Sequence, residues 1–127
     1  MYHSFKKLLG MKVGDSMPNT ISNIMYGFSV QLRRLLGNDL SKVILYGSYA
    51  RGDFHDDSDV DVMVLVKISP EEIEKIEESV FDLAFDIEME YGIHISPIIK
   101  NEDQFEYWVD VLPFYRNVRN EGIEING

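Results

Sequence analysis

The chain has 127 residues, with 12 Lys and Arg against 22 Asp and Glu for a formal net charge of −10, and it contains no cysteine. That length accommodates one domain with a substantial core and leaves no room for a second. The charge argues against a broad nucleic-acid footprint, which needs clustered Lys and Arg, and the absence of cysteine excludes disulfides and thiolate zinc sites and suits a reducing cytosol.

Residues 1–17 read as an N-terminal extension containing Lys6, Lys7 and Lys12, and a single domain is expected over 18–127. The apolar stretches of the extension are too short for a signal peptide and nothing approaches a membrane span, so a cytoplasmic protein without membrane contact is expected. Pro18-Asn19-Thr20 opens a helix whose Ile21, Ile24, Met25, Phe28, Leu32 and Leu35 follow helical spacing, and Gly37 closes it. Strands follow at 42–46 and 60–66. Ser69-Pro70-Glu71-Glu72 caps a long helix reaching Tyr91, with Pro in the first turn and acids at the positive end of the dipole. A third strand is expected over 93–99, two short helices over 101–109 and 113–121, and an edge strand at Ile123-Glu124-Ile125. The fold class is α/β in the α+β sense: a small mixed sheet with helices packed mainly on one face.

Chemistry concentrates between the first two strands. Val43-Ile44-Leu45-Tyr46 leads into Gly47-Ser48-Tyr49-Ala50-Arg51-Gly52, then an acidic loop through Asp53, His55, Asp56 and Asp57, and then Ser58-Asp59-Val60-Asp61 at the head of an apolar strand. Side chains alternate along a strand, so Asp59 and Asp61 share a face. Their Cα atoms would lie about 6.6 Å apart, and both can reach one hard cation. Gly47 permits a sharp turn with close backbone approach, and Ser48 opens a helix whose first N–H groups lack intrahelical partners, a setting that holds phosphate oxygens. A phosphate cradle beside two carboxylates suits a nucleoside triphosphate carrying Mg2+ or Mn2+, the metal supplying positive charge that the protein lacks.

Three other readings of these residues are weaker. Asp57-x-Asp59-x-Asp61 starts like a calcium loop, but Val62 and Ile68 stand where Gly and Glu are needed. No Gly-Lys-Ser/Thr follows any glycine. A merely solvated acidic loop requires neither Gly-Ser at this distance nor two acids on one face.

Gly47-Ser48, ten intervening residues and Asp59-Val60-Asp61 resemble the signature of the DNA polymerase β nucleotidyltransferase superfamily, in its minimal, antitoxin-type form. Ala50-Arg51-Gly52 and Ser58 add to the match, and the element order from about Ile21 to Lys100 fits over about two thirds of the chain. The resemblance implies Asp59 and Asp61 as metal ligands and Ser48 with them in catalysis, Gly47, Ser48 and Arg51 on the nucleotide, and transfer of AMP from Mg-ATP to a hydroxyl. It also implies a protein acceptor, a tyrosine of a partner ribonuclease of the HEPN type. The alternative is a catalytically weak nucleotide- or partner-binding antitoxin on the same fold.

One position separates these readings. Relatives carry a third carboxylate on the third strand, which resembles a general base, and here Ser96 falls at that position. His94 shares its face, and Glu102 or Asp103 lies just beyond the strand, so His94 and Asp103 are the candidate substitutes. Arg51 can clamp a phosphate or pair with Asp53 or Asp56. His55 can touch a phosphate or stand on the surface, and Arg116 and Arg119 can meet a triphosphate tail or face solvent. Phe105, Tyr107, Trp108, Phe114 and Tyr115 offer either a base-stacking surface or core packing. Phe81, Phe85 and Met89 form a second apolar row on the long helix, wider than one sheet face requires, as a partner surface would be.

Overall fold

A computed structural model describes residues 17–125, so the expected extension over 1–17 lies outside the described residues except for Met17, which opens the first helix. Helix α1 (Met17–Leu36) leads through a 3-10 turn (Gly37–Asp39) to β1 (Leu40–Tyr46), the single-turn α2 (Ser48–Arg51) and β2 (Val60–Val66). Helix α3 (Pro70–Tyr91), β3 (Ile95–Asn101), α4 (Glu102–Trp108), α5 (Pro113–Glu121) and β4 (Ile123–Ile125) follow. The strands form one sheet in the order β3-β2-β1-β4, with β1 antiparallel to both neighbours and β2 parallel to β3. A parallel pair needs a long crossover, which α3 provides.

Helix α1 buries Ile21, Ile24, Met25, Phe28 and Leu32, as their spacing demands. The stripe continues to Leu36, while the expected Leu35 is 43% exposed, because Leu36 lies one four-residue step beyond Leu32 and falls on the same line. Helix α3 starts with a full capping box: Ser69 Oγ accepts from Glu72 N, and the Glu72 carboxylate accepts from Ser69 N. Together α1 and α3 cover one sheet face over Val43, Leu45, Val60, Val62, Val64, Val66, Ile95 and Ile99. Each fully buried aliphatic side chain there contributes about 1.5–3 kcal/mol.

The two long helices therefore sit on one face, and the short C-terminal helices close the other over Ile44, Tyr46, Met63, Leu65 and Ile98 through Phe105, Val109, Tyr115 and Val118. Asn101 ties β3 to α4, its Oδ1 accepting from Gln104 N and its Nδ2 donating to the Ile68 carbonyl. The third strand starts at Ile95, two residues later than expected, where the parallel ladder begins opposite Val60. No described helix is long and apolar enough to cross a membrane.

Strand β2 carries the signal that matters for function. Six of its seven residues are buried; Asp61 alone is not fully covered. A central strand lying between two helical layers reads as a continuous apolar run, so a carboxylate near its start is costly unless something at that end of the sheet uses it.

Candidate active site

Strand β1 ends at Tyr46, paired with Asp61 across the antiparallel ladder, and the chain then turns at Gly47. Gly47 has φ 77° and ψ −155°, a region open in practice only to glycine. A Cβ on Gly47 would lie 2.3 Å from Asp61 Oδ2. The backbone of the turn and the carboxylate of β2 are thus packed against one another, and glycine is required both for the dihedrals and for the space.

The turn continues into α2. Gly47 O accepts from Ala50 N and Arg51 N at 3.1 and 3.0 Å, and Ser48 O accepts from Gly52 N and Asp53 N at 2.8 and 3.1 Å. These bonds fix Ser48 at the start of the turn with its side chain partly exposed. Beyond it, Ser58 shapes the acidic loop: Ser58 Oγ accepts from His55 N at 2.7 Å and Ser58 N donates to His55 O at 3.0 Å. Asp59 follows immediately ahead of β2, near enough to Asp61 for its charge to act on it. A cleft of about 310 Å³ opens beside it, lined by Tyr49, Asp57, Ser58, Asp59, Ile93 and His94 among others.

Electrostatics mark Asp61. Burial first, then the Asp59 charge, hold its carboxyl above the ordinary carboxylate range; Arg51 opposes the rise and Glu121 adds to it. Burial, with the Asp61 charge second, pushes the neighbouring Tyr46 hydroxyl up to about 12. Two like charges, one of them partly desolvated, fit a divalent cation. Among the described residues no three His, Cys, Asp or Glu side chains converge on one point. Asp59 and Asp61 are the two carboxylates here that could hold a hard cation such as magnesium, which keeps waters and phosphate oxygens among its ligands.

Comparison with known proteins places this geometry. The nucleotidyltransferase domain family matches residues 28–125, from the middle of α1 to β4. The chain belongs to that family. A candidate protein adenylyltransferase of Methanocaldococcus jannaschii is 37% identical over 105 residues, 83% of this chain and 98% of its own. A second from the same organism is 34% identical over 83 residues, 65% of this chain and 75% of its own. Among solved structures, a toxin–antitoxin crystal structure with AMP-PNP shares the fold at TM-score 0.52 and 19% identity, over 80% of this chain and 73% of that one. A mutant toxin–antitoxin crystal structure does so at TM-score 0.53 and 18% identity, over 80% and 73%.

Within this nucleotidyltransferase, β3 lies directly beside β2, and its register pairs Ser96 with Asp61. Ile98 of β3 faces the α4–α5 side, so Ser96, two residues before it, faces it too, with Asp61. His94, expected to share that face, precedes the strand and turns its ring to Glu88 of α3 on the other side of the sheet. His94 stands just ahead of the strand, its carbonyl accepting from Val60 N at 2.9 Å and its ring Nδ1 2.9 Å from Glu88 Oε1. The bond to Glu88 raises the His94 pKa, with the Glu88 and Asp59 charges adding to it.

Asp103 is not part of the site. Strand β3 runs parallel to β2 away from the Asp61 end, pairing Asn101 with Val66, so Asp103 follows the strand's far end, about 16 Å or more beyond Ser96. Glu102, also considered in place of the missing acid, pairs there with the Ser41 hydroxyl. Arg51 Nε lies 3.2 Å from Asp53 Oδ2, realising the ion pair with Asp53 and not that with Asp56. Arg116 donates to the Asp110 carbonyl, and Arg119 pairs with Glu106 and lies over the Phe105 ring at 5.7 Å, so both brace α5 against α4. The aromatic tail divides: Phe105 is buried against Tyr115, while Tyr107, Trp108 and Phe114 are exposed, Phe114 meeting Tyr46 edge-on at 5.6 Å.

One residue of the site was not legible in the sequence. Glu121 Oε1 accepts from Gly47 N at 3.2 Å and from Arg51 Nη1 at 3.1 Å. No motif signals it, because its position depends on β4 adding to β1.

Proposed function

We propose that the protein is a magnesium-dependent nucleotidyltransferase that transfers AMP from ATP to a hydroxyl of a protein partner, a tyrosine of a HEPN-type toxin, in the cytoplasm. The observation that carries this reading is the packing of Asp61 against Gly47, which joins the metal-binding acids to the phosphate-binding turn in one rigid unit. Family membership and the adenylyltransferase relatives support the reaction class, and the toxin–antitoxin likeness in fold is consistent with such a partner.

Asp59 and Asp61 would hold the magnesium ion, which supplies charge neutralisation and Lewis acidity at phosphorus. Gly47 N–H, the Ser48 hydroxyl and Arg51 would bind phosphate oxygens and fix the chain for in-line attack. The acceptor oxygen forms a bond to the α-phosphorus as the bond to the β-phosphate oxygen breaks, pyrophosphate leaves, and the acceptor proton passes to solvent. With Ser96 beside Asp61, no carboxylate of β3 stands ready to take that proton.

Ser96 is also the observation favouring a second reading, an antitoxin that holds nucleotide and partner with little turnover. Labelling with radioactive ATP in the presence of the co-purified partner separates the two. Transfer by wild type, raised in Ser96→Asp towards the hundredfold or more that a positioned base contributes, supports the enzyme. Tight complex formation with no labelling in either protein supports the binding reading.

A further inference from the structure

The phosphate cradle already holds an anion from its own chain. Helix α5 ends at Glu121, and Gly122 N donates to Val118 O at 2.8 Å as the chain swings into β4. A Cβ on Gly122 would lie 2.2 Å from Val118 O and 2.5 Å from Ile44 Cγ2, so only glycine lets the chain leave α5 pressed against β1. Ile123 then pairs with Leu45. This hook sets Glu121 level with the end of β1, and its Oε1 receives both the Gly47 N–H and the Arg51 guanidinium.

We propose that Glu121 gates the cradle: its carboxylate occupies the two donors that a triphosphate needs, and nucleotide binds only as that carboxylate is displaced. This rests on the nucleotide assignment above and adds to it the residue that sets affinity. Glu121 is suited to the task. Its carboxylate imitates a phosphate oxygen at both donors, and it stands close enough to Asp61 to act on it through charge. Left in place, it would repel an incoming phosphate chain in a site that Asp59 and Asp61 already make negative. Its side chain is 27% exposed, and its three side-chain torsions give it a route to solvent without disturbing α5 or β4. The opposite role, in which Glu121 merely aims Arg51 at the ligand, predicts the opposite sign.

Calorimetric titration of the full chain with a non-hydrolysable ATP analogue and magnesium tests the gate. Glu121→Gln keeps the shape and removes the charge, and it is expected to bind the analogue about tenfold or more tightly than wild type, with Glu121→Ala changing in the same direction. Glu121→Asp keeps the charge but shortens the reach, and should tighten binding less; it also serves the comparison if neither neutral variant folds. Wild-type binding with equal or weaker binding in the variants overturns the gate and leaves the nucleotide assignment standing. Absence of binding in wild type and variants alike overturns that assignment and the gate with it.

Discussion

Replacing Gly47 with alanine perturbs backbone and site together, and the structure gives the size of each effect. At φ 77° and ψ −155°, any residue other than glycine carries strain of about 1–3 kcal/mol. In a domain of this size that corresponds to a melting temperature lower by roughly 3–15 °C. The new methyl would also stand 2.3 Å from Asp61 Oδ2, a separation that atoms do not tolerate, so the carboxylate must rotate away from the turn. With Asp61 as the proposed metal ligand, its displacement should weaken binding of magnesium with an ATP analogue about 10- to 100-fold, the range seen when far subtler supports of a metal site are lost. Circular dichroism melting and calorimetry measure the two effects separately. A double-mutant comparison isolates the contact: in an Asp61→Ala background the clash is gone, so Gly47→Ala should cost less stability than in wild type, with a coupling of about 0.5–3 kcal/mol. Gly47→Ala with wild-type melting and wild-type nucleotide affinity would refute the reasoning, since neither the dihedral strain nor the packing against Asp61 would then be real.

Two pH-dependent predictions follow from the same neighbourhood. The Glu88 contact raises the His94 pKa in the folded state, so its stabilisation is fully present below the ordinary value of 6.5 and fades as pH rises through the raised one; His94→Gln should lower the melting temperature at about pH 6 and leave it unchanged at about pH 9. Asp61 is raised above its ordinary 3.8, so the native state holds its proton more tightly than the unfolded chain and stability is lost as pH climbs through that window; Asp61→Asn should melt higher than wild type at neutral pH, with the difference closing as pH falls below 3.8.

The sequence was most informative where structure is local. Ser69 and Glu72 mark the start of α3 because a capping box uses only neighbouring residues, and the apolar run from Val60 to Val66 marks a strand, though not that helices cover it on both faces. The Gly47-Ser48 and Asp59-Val60-Asp61 pair was visible because one hairpin brings it together. What was missed depends on contacts distant in sequence. Asp103 looked like a neighbour of Ser96 only while the direction of β3 was unknown; the parallel register with β2 sends it to the other end of the sheet. The layer formed by α4 and α5 arises from Phe105, Val109 and Val118 meeting residues of β1 and β2 about forty or more positions earlier. Glu121 reads as one more surface acid on an acidic chain until β4 pairs with β1 and carries it to Gly47.

The central claim is that Asp59 and Asp61 hold a magnesium ion that brings a nucleoside triphosphate to the Gly47–Ser48 turn. Calorimetry of wild type and of the Asp59→Asn/Asp61→Asn double variant, each titrated with the same ATP analogue with and without magnesium, tests it most directly. Magnesium-dependent binding by wild type that disappears in a double variant of unchanged fold is the predicted result. Equal affinity in the two proteins, or wild-type binding indifferent to magnesium, would contradict it.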